Sequence, residues 1–177
     1  AKIPRVTAVE PARSADAKVQ ITGPNVPLPA VAITWLIPPA ADADMPALKI
    51  AAALLGAGDS SRLYQSLVYR QQIASSVGID ADAHVDTGLL TAYAIASQGK
   101  SLDAVTKALD AEVARLAKQP ASAAELDKIR TQLVTGALLE RQTPLGLGMA
   151  LGNAAVIDGD VATVNTQLAA LQAVTAA

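Results

Sequence analysis

Asp80, Asp82 and His84 stand at alternate positions in a run of period-two hydrophobicity, so an extended backbone puts all three side chains on one face. Two carboxylates and an imidazole so placed suffice at most for weak capture of a divalent cation. A catalytic zinc centre takes three protein ligands, drawn mainly from histidine, cysteine and carboxylate. His84 is the single histidine of the 177 residues, and cysteine is absent. A solvated strand face beside a hairpin accounts for the same three residues, and no metal ligand is assigned. Gly58-Asp59-Ser60 offers a serine, but a serine nucleophile needs a positioned base. Only His84 is available, and position 81, where a downstream Asp-x-x-His would need its acid, is Ala81. Capping of a helix start is the commoner role of Asp59, Ser60 and Ser61. Gly56-Ala57-Gly58 lacks the third glycine, or the Lys-Ser/Thr pair, of a phosphate loop. No catalytic residue is assigned.

The elements that would hold these residues follow from pattern and composition. Hydrophobic residues make up 51% of the chain and charged residues 17%, enough for one domain with a proper core. Phenylalanine is absent and aromatics are 2%, so the core must be filled by many small side chains, as in closely packed helices. The net charge is −2 without a Lys/Arg cluster, which excludes the basic footprint of nucleic-acid binding. The longest apolar run, Ile50 to Ala57, is far short of the roughly 20 residues that cross a bilayer, so no membrane insertion is expected. No signal peptide is visible, and the chain begins at Ala1 without Met.

Residues 1–16, with Pro4 and Pro11, read as a linker or extended arm, and 17–177 as a single α+β domain. Val19 and Ile21 alternate with Lys18, Gln20 and Thr22 as a first short strand. Val31, Ile33, Trp35 and Ile37 share one face of a second, ended by Pro38-Pro39. Met45–Leu55 is a helix with Asp44 as N-cap and Pro46 in its first turn. Ser60 or Ser61 caps a helix running to about Gln72. A strand from Ser75 to Val85 turns at Asp86-Thr87-Gly88 into another, Leu89–Ala96. The rest is helical. Ser101 caps a helix on which Leu102, Val105, Leu109, Val113 and Leu116 recur at helix spacing. Ser122 and Glu125 form a capping box for the next, and one or two more helices follow, broken at Asp158-Gly159. The sum is an antiparallel-leaning sheet of about four or more strands, covered by helices on one face, with a helical C-terminal part.

The stretch Ser60–Val77 resembles the signature of the C-terminal half of the M16 (insulinase-like, pitrilysin-type) zinc peptidases. That signature reads Ser-Arg-Leu, then Leu-Arg-Glu, then Gly-Leu-Ala-Tyr-Ser-Val. Ser61, Arg62, Leu63, Leu67, Ile73, Ala74, Ser76 and Val77 fit it. Glu125-Leu126 and Leu-Gln-Ala-Val-Thr at 171–175 are also similar to that family. Val68 replaces the signature's arginine and Ser75 its tyrosine, the pair that in the family helps to hold the substrate peptide. Arg70 lies two positions late, a rotation of about 200° on an α-helix, which points it away from the site unless a one-turn irregularity of the helix restores it to the clamp. Arg62 bonds carbonyls or a carboxylate in the interior, or serves the site directly.

The resemblance implies a sheet backed by helices and a non-catalytic C-terminal domain that forms one wall of a peptide-binding chamber. The family's zinc site uses His-x-x-Glu-His and a distal Glu, which one histidine cannot build. Zinc and the general base are therefore expected from an N-terminal catalytic half outside this chain, with no cofactor in the chain itself. The implied partners are that half, a second M16-like subunit supplying the clamp, and a peptide substrate. The resemblance also favours a bacterial periplasmic setting. A non-proteolytic structural or peptide-binding subunit related to the family is the alternative.

Overall fold

The computed structural model describes Pro11 and residues 14–176, so most of the expected arm 1–16 lies outside the described residues. Strand β1 spans Ala30–Ile37, and Pro38-Pro39, lacking two backbone donors, ends it. Helix α1 is Met45–Gly56 with Pro46 in its first turn. Strands β2, Ala74–Asp82, and β3, Gly88–Ala96, form a hairpin. The helices α2 (Leu102–Lys118), α3 (Ala123–Glu140), α4 (Pro144–Asn153) and α5 (Thr163–Ala173) follow.

The sheet is antiparallel throughout, in the order β1-β3-β2. Register puts Ala92 between Ile33 and Ile79, and Ala94 between Val31 and Val77. Ala92, Ala94 and Ala96 on the central strand are fully buried, as are Val105 and Leu109 of α2. Alanine on the central strand lets the helix approach closely, which is how a core without phenylalanine is filled. Leu55 of α1 joins the same cluster, while Ile50 and Leu54 pack with Leu126 and Ile129 of α3. Helix α1 is thus shared between the sheet layer and an outer layer of α3 and α5. On the other face, Tyr93 lies across Gly78, and the Thr34 and Thr91 hydroxyls are 3.1 Å apart.

Several expectations need correction. The described residues hold three strands, not four or more, because Val19–Thr22 joins no ladder. Two apolar residues are few to hold a strand, and Pro24, Pro27 and Pro29 interrupt the path to β1. The Asp44 side chain makes no capping bond; Asp42 Oδ1 instead accepts from the Asp44 N–H at 2.8 Å. β2 stops at Asp82, leaving Ala83–Val85 in the loop, where the Ala40 N–H holds the His84 carbonyl at 2.8 Å. The Ser101 cap, the Ser122–Glu125 capping box and the break after Asp158, with Gly159 at φ +75°, are as expected.

Candidate functional site

The segment Ser61–Val77 is folded around an arginine. After one helical step at Arg62-Leu63 the chain widens into a π-helix, Tyr64–Arg70, with Leu63 and Leu67 wholly buried beneath it. The expected α-helix to Gln72 is therefore a π-helix ending at Arg70, a rare form that recurs at functional sites. Neither Ser60 nor Ser61 caps it. Ser60 Oγ accepts from Lys128 Nζ at 2.8 Å, and Ser61 Oγ is buried without a partner among the described residues.

Arg62 reaches the start of α3. Its Nε and one terminal nitrogen donate to the two oxygens of Glu125, at 3.0 and 3.1 Å. Its terminal nitrogens also donate to the carbonyls of Gln119 and Pro120, at 3.0 and 3.4 Å. Both structural options for Arg62 are realised together, and its donors are engaged internally. The guanidinium fork matches carboxylate geometry, which a lysine could not do. Glu125 also accepts from the Ser122 N–H and hydroxyl, each at 2.9 Å. The Arg62 hydrogen bond, then that of the Ser122 N–H, pulls the Glu125 carboxyl down to about 2.

Val68 and Ser75, the positions at which the resemblance leads one to expect a clamp, diverge. Val68 is half-buried and packs against the main core cluster. Ser75 is exposed at the register shift between Ala74 and Ser76, a β-bulge, and its hydroxyl donates to the Ile95 carbonyl at 3.3 Å. Tyr69 and Arg70 are exposed at the end of the π-helix. The turn from that helix into β2 needs Gln72 at φ +52°, the one positive φ outside glycine among the described residues. Sequence reasoning missed Gln72, although the signature carries glycine just before the position of Ile73.

The remaining candidates stay apart. Asp80 and Asp82 are exposed on β2, and His84 Nε2 lies 3.1 Å from Asp82 Oδ2. No group of three or more metal-binding side chains occurs among the described residues. A solvent-exposed carboxylate–imidazole pair with no third ligand does not fit catalytic zinc. Asp59 serves the fold through its carbonyl, which accepts from Gln65 Nε2 at 2.8 Å. No helix of the described residues is long and apolar enough to cross a membrane. A groove of about 840 Å³ opens between α1, β2 and α3, lined by Ala53, Gly56, Ile79, Leu133 and Gly136 among others.

Similar folds occur in solved structures. A candidate zinc protease from Bordetella pertussis Tohama I is 29% identical, with TM-score 0.75, over 84% of this chain and 82% of that one. The inactive peptidase domain of a candidate zinc protease from Bordetella parapertussis is 28% identical, with TM-score 0.76, over 82% of this chain and 77% of that one. A protease from Helicobacter pylori shares the fold at TM-score 0.80 and 22% identity, over 85% of this chain. This chain spans only 36% of that protease's length. No curated protein sequence matches. The family model described as the peptidase M16 inactive domain matches residues 1–133, the stretch that contains Arg62, its partner Glu125, Val68 and Ser75, and the chain belongs to that family.

Proposed function

We propose that this chain is the non-catalytic wall of a peptide-holding chamber, and that zinc and the general base are supplied by an M16 catalytic half outside these residues. The observation that carries this reading is the donor set. One exposed imidazole–carboxylate pair cannot make a zinc centre, within a family whose model is described as inactive. The wall also lacks its own clamp. Val68 offers no cation, Ser75 offers no phenol, and Arg62 is committed to Glu125. The arginine and tyrosine that hold the peptide then come from a second M16-like subunit. In the family a developing oxyanion is met by fixed donors, and loss of one such donor costs roughly 2–4 kcal/mol.

The test is reconstitution. The purified chain is incubated with an unfolded insulin chain, alone and after mixing with M16 catalytic halves encoded beside it. Chelator-sensitive cleavage that requires the mixture, and is lost when the partner's clamp arginine and tyrosine are replaced, supports the proposal. Cleavage by this chain alone contradicts it. A second reading, a structural or peptide-binding subunit without a proteolytic partner, is favoured by the same loss of the clamp. It predicts peptide affinity, or assembly, with no cleavage in any mixture.

A further inference from the structure

Two features of the chain are incomplete in complementary ways. The first is Lys18–Thr22. Its alternation of Lys18, Gln20 and Thr22 with Val19 and Ile21 is that of a two-faced strand, yet among the described residues it joins no ladder, and Val19 and Ile21 are 81% and 89% exposed. The second is β2. It is an outer strand of the sheet, and its one strand partner among the described residues is β3. Its free edge runs beside the groove of about 840 Å³ between α1 and α3. A free edge beside a groove invites an added strand, and this groove mixes Ala53, Leu133 and Ala137 with Lys49, Gln132 and Glu140.

We infer that Lys18–Thr22 of one copy adds to the free edge of β2 in a second copy, so that two chains exchange strands reciprocally. The faces match. Ile79 and Ala81 share one face of β2, with Ile79 packed on the core, and Asp80 and Asp82 share the other, Asp80 also lining the groove. A strand docked there places Val19 and Ile21 over the groove, against Ala53, Leu133 and Ala137. Lys18 then stands on the same side as Asp80 and Asp82, which supplies charge complementarity. Gly136 keeps one groove wall low, with open space where a side chain would begin, whereas Gly56 lets the end of α1 rest on β2, since a Cβ there would lie 2.7 Å from the Ile79 nitrogen.

Exchange between copies is favoured over closure within one. Gly23–Pro29 ties Thr22 to the start of β1, and β1 lies at the opposite edge of the sheet, with β3 between it and β2. Pro24, Pro27 and Pro29 stiffen that connection. Reciprocal donation is self-complementary, so it closes as a two-fold dimer instead of growing into a filament. The inference uses only this chain's own residues and is independent of any catalytic partner.

Sedimentation equilibrium of the full chain and of the double variant Val19→Asp/Ile21→Asp tests it. The expected result is a dimer for the parent, weakened at least tenfold in the variant, with an unchanged thermal midpoint of the monomer. Both side chains are exposed in one copy, so the variant keeps its fold. The chain has no cysteine, which makes a cross-linking arm clean. Lys18→Cys chains mixed with Asp82→Cys chains should give a linked heterodimer with a short bis-maleimide. A monomeric parent at every accessible concentration overturns the inference. So does a dimer that survives both aspartates. If Lys18→Cys/Asp82→Cys in one polypeptide links only within itself, the strand serves its own sheet and the exchange is likewise overturned.

Discussion

Arg62 and Glu125 are 63 residues apart in the chain and meet through two parallel hydrogen bonds, 3.0 and 3.1 Å long. The pair ties the entry of the π-helix to the first turn of α3, and through the Gln119 and Pro120 carbonyls to the connection before it. The Arg62 side chain is 13% exposed and that of Glu125 38%, so the pair is neither a solvated surface contact nor a fully desolvated one.

Replacing Arg62 by alanine should therefore cost about 2 kcal/mol, between the values for exposed and buried pairs. Arg62→Lys should recover less than half of that, because a single ammonium cannot make the fork. Urea unfolding midpoints measure both. An Arg62→Lys chain as stable as the parent would show that only charge matters.

The acid response has a defined sign. Glu125 is held at about 2, below its ordinary value of 4.5, first by Arg62 and then by the Ser122 N–H. A depressed carboxyl stabilises the fold above its unfolded value. That contribution is lost as the pH falls from about 4.5 towards 2. The stability gap between the parent and Glu125→Gln should be full at neutral pH and shrink across that window. A gap constant from pH 6 to pH 3, roughly one unit and more below the ordinary carboxyl, would contradict the linkage.

Gln72 sits at φ +52°, where a Cβ crowds the following carbonyl. Gln72→Gly removes that strain but adds freedom to the unfolded chain. The expected net result is a gain of about 0.5–1 kcal/mol. Gln72→Val should lose stability instead, since a branched side chain tolerates this region worst. Thermal midpoints of the two variants moving in the same direction would refute the strain.

Tyr93 covers Gly78, and a Cβ added there would fall 2.5 Å from the ring. The ring is 43% exposed and can tilt, so Gly78→Ala should cost only about 1 kcal/mol. The cost should vanish in a Tyr93→Ala background. A double-mutant cycle reads the coupling, and additive effects would mean that the ring does not rest on this glycine.

Metal content gives a further check. The single histidine and the absence of cysteine predict no stoichiometric zinc on the chelator-treated, zinc-reloaded chain. Elemental analysis that finds one tightly held zinc, lost in His84→Ala, would require a site made of other residues.

How much of this was legible in the sequence depends on what each residue answers to. The β2–β3 hairpin and the Ser122–Glu125 box rest on local chemistry, a period of two and a three-residue offset; the box stands where expected, and the hairpin forms but with β2 ending at Asp82, short of Val85. The Val19–Thr22 strand has the same period but needs a partner that the described residues do not bring to it, and local pattern cannot report that. The π-helix and the Gln72 turn also escaped. They are held by contacts that local spacing does not report: the Ile73 N–H donates to the Leu67 carbonyl, and the Ile73 carbonyl accepts from the Ser97 N–H beyond β3. Arg62 was readable as important from its signature, but its partner was not, because contact across 63 residues leaves no spacing rule.

The place of β1 bears on how the chain is made. Among the described residues β1 is made before β2 and β3, yet its one strand neighbour there is β3, with Ile37 opposite Gly88 and Ala30 opposite Ile95. During N-to-C synthesis Val31, Ile33, Trp35 and Ile37 must wait, unpaired, until the whole β2–β3 hairpin has emerged from the ribosome. For that interval the nascent chain presents an apolar strand to the cell, a natural binding segment for a chaperone that captures extended polypeptide.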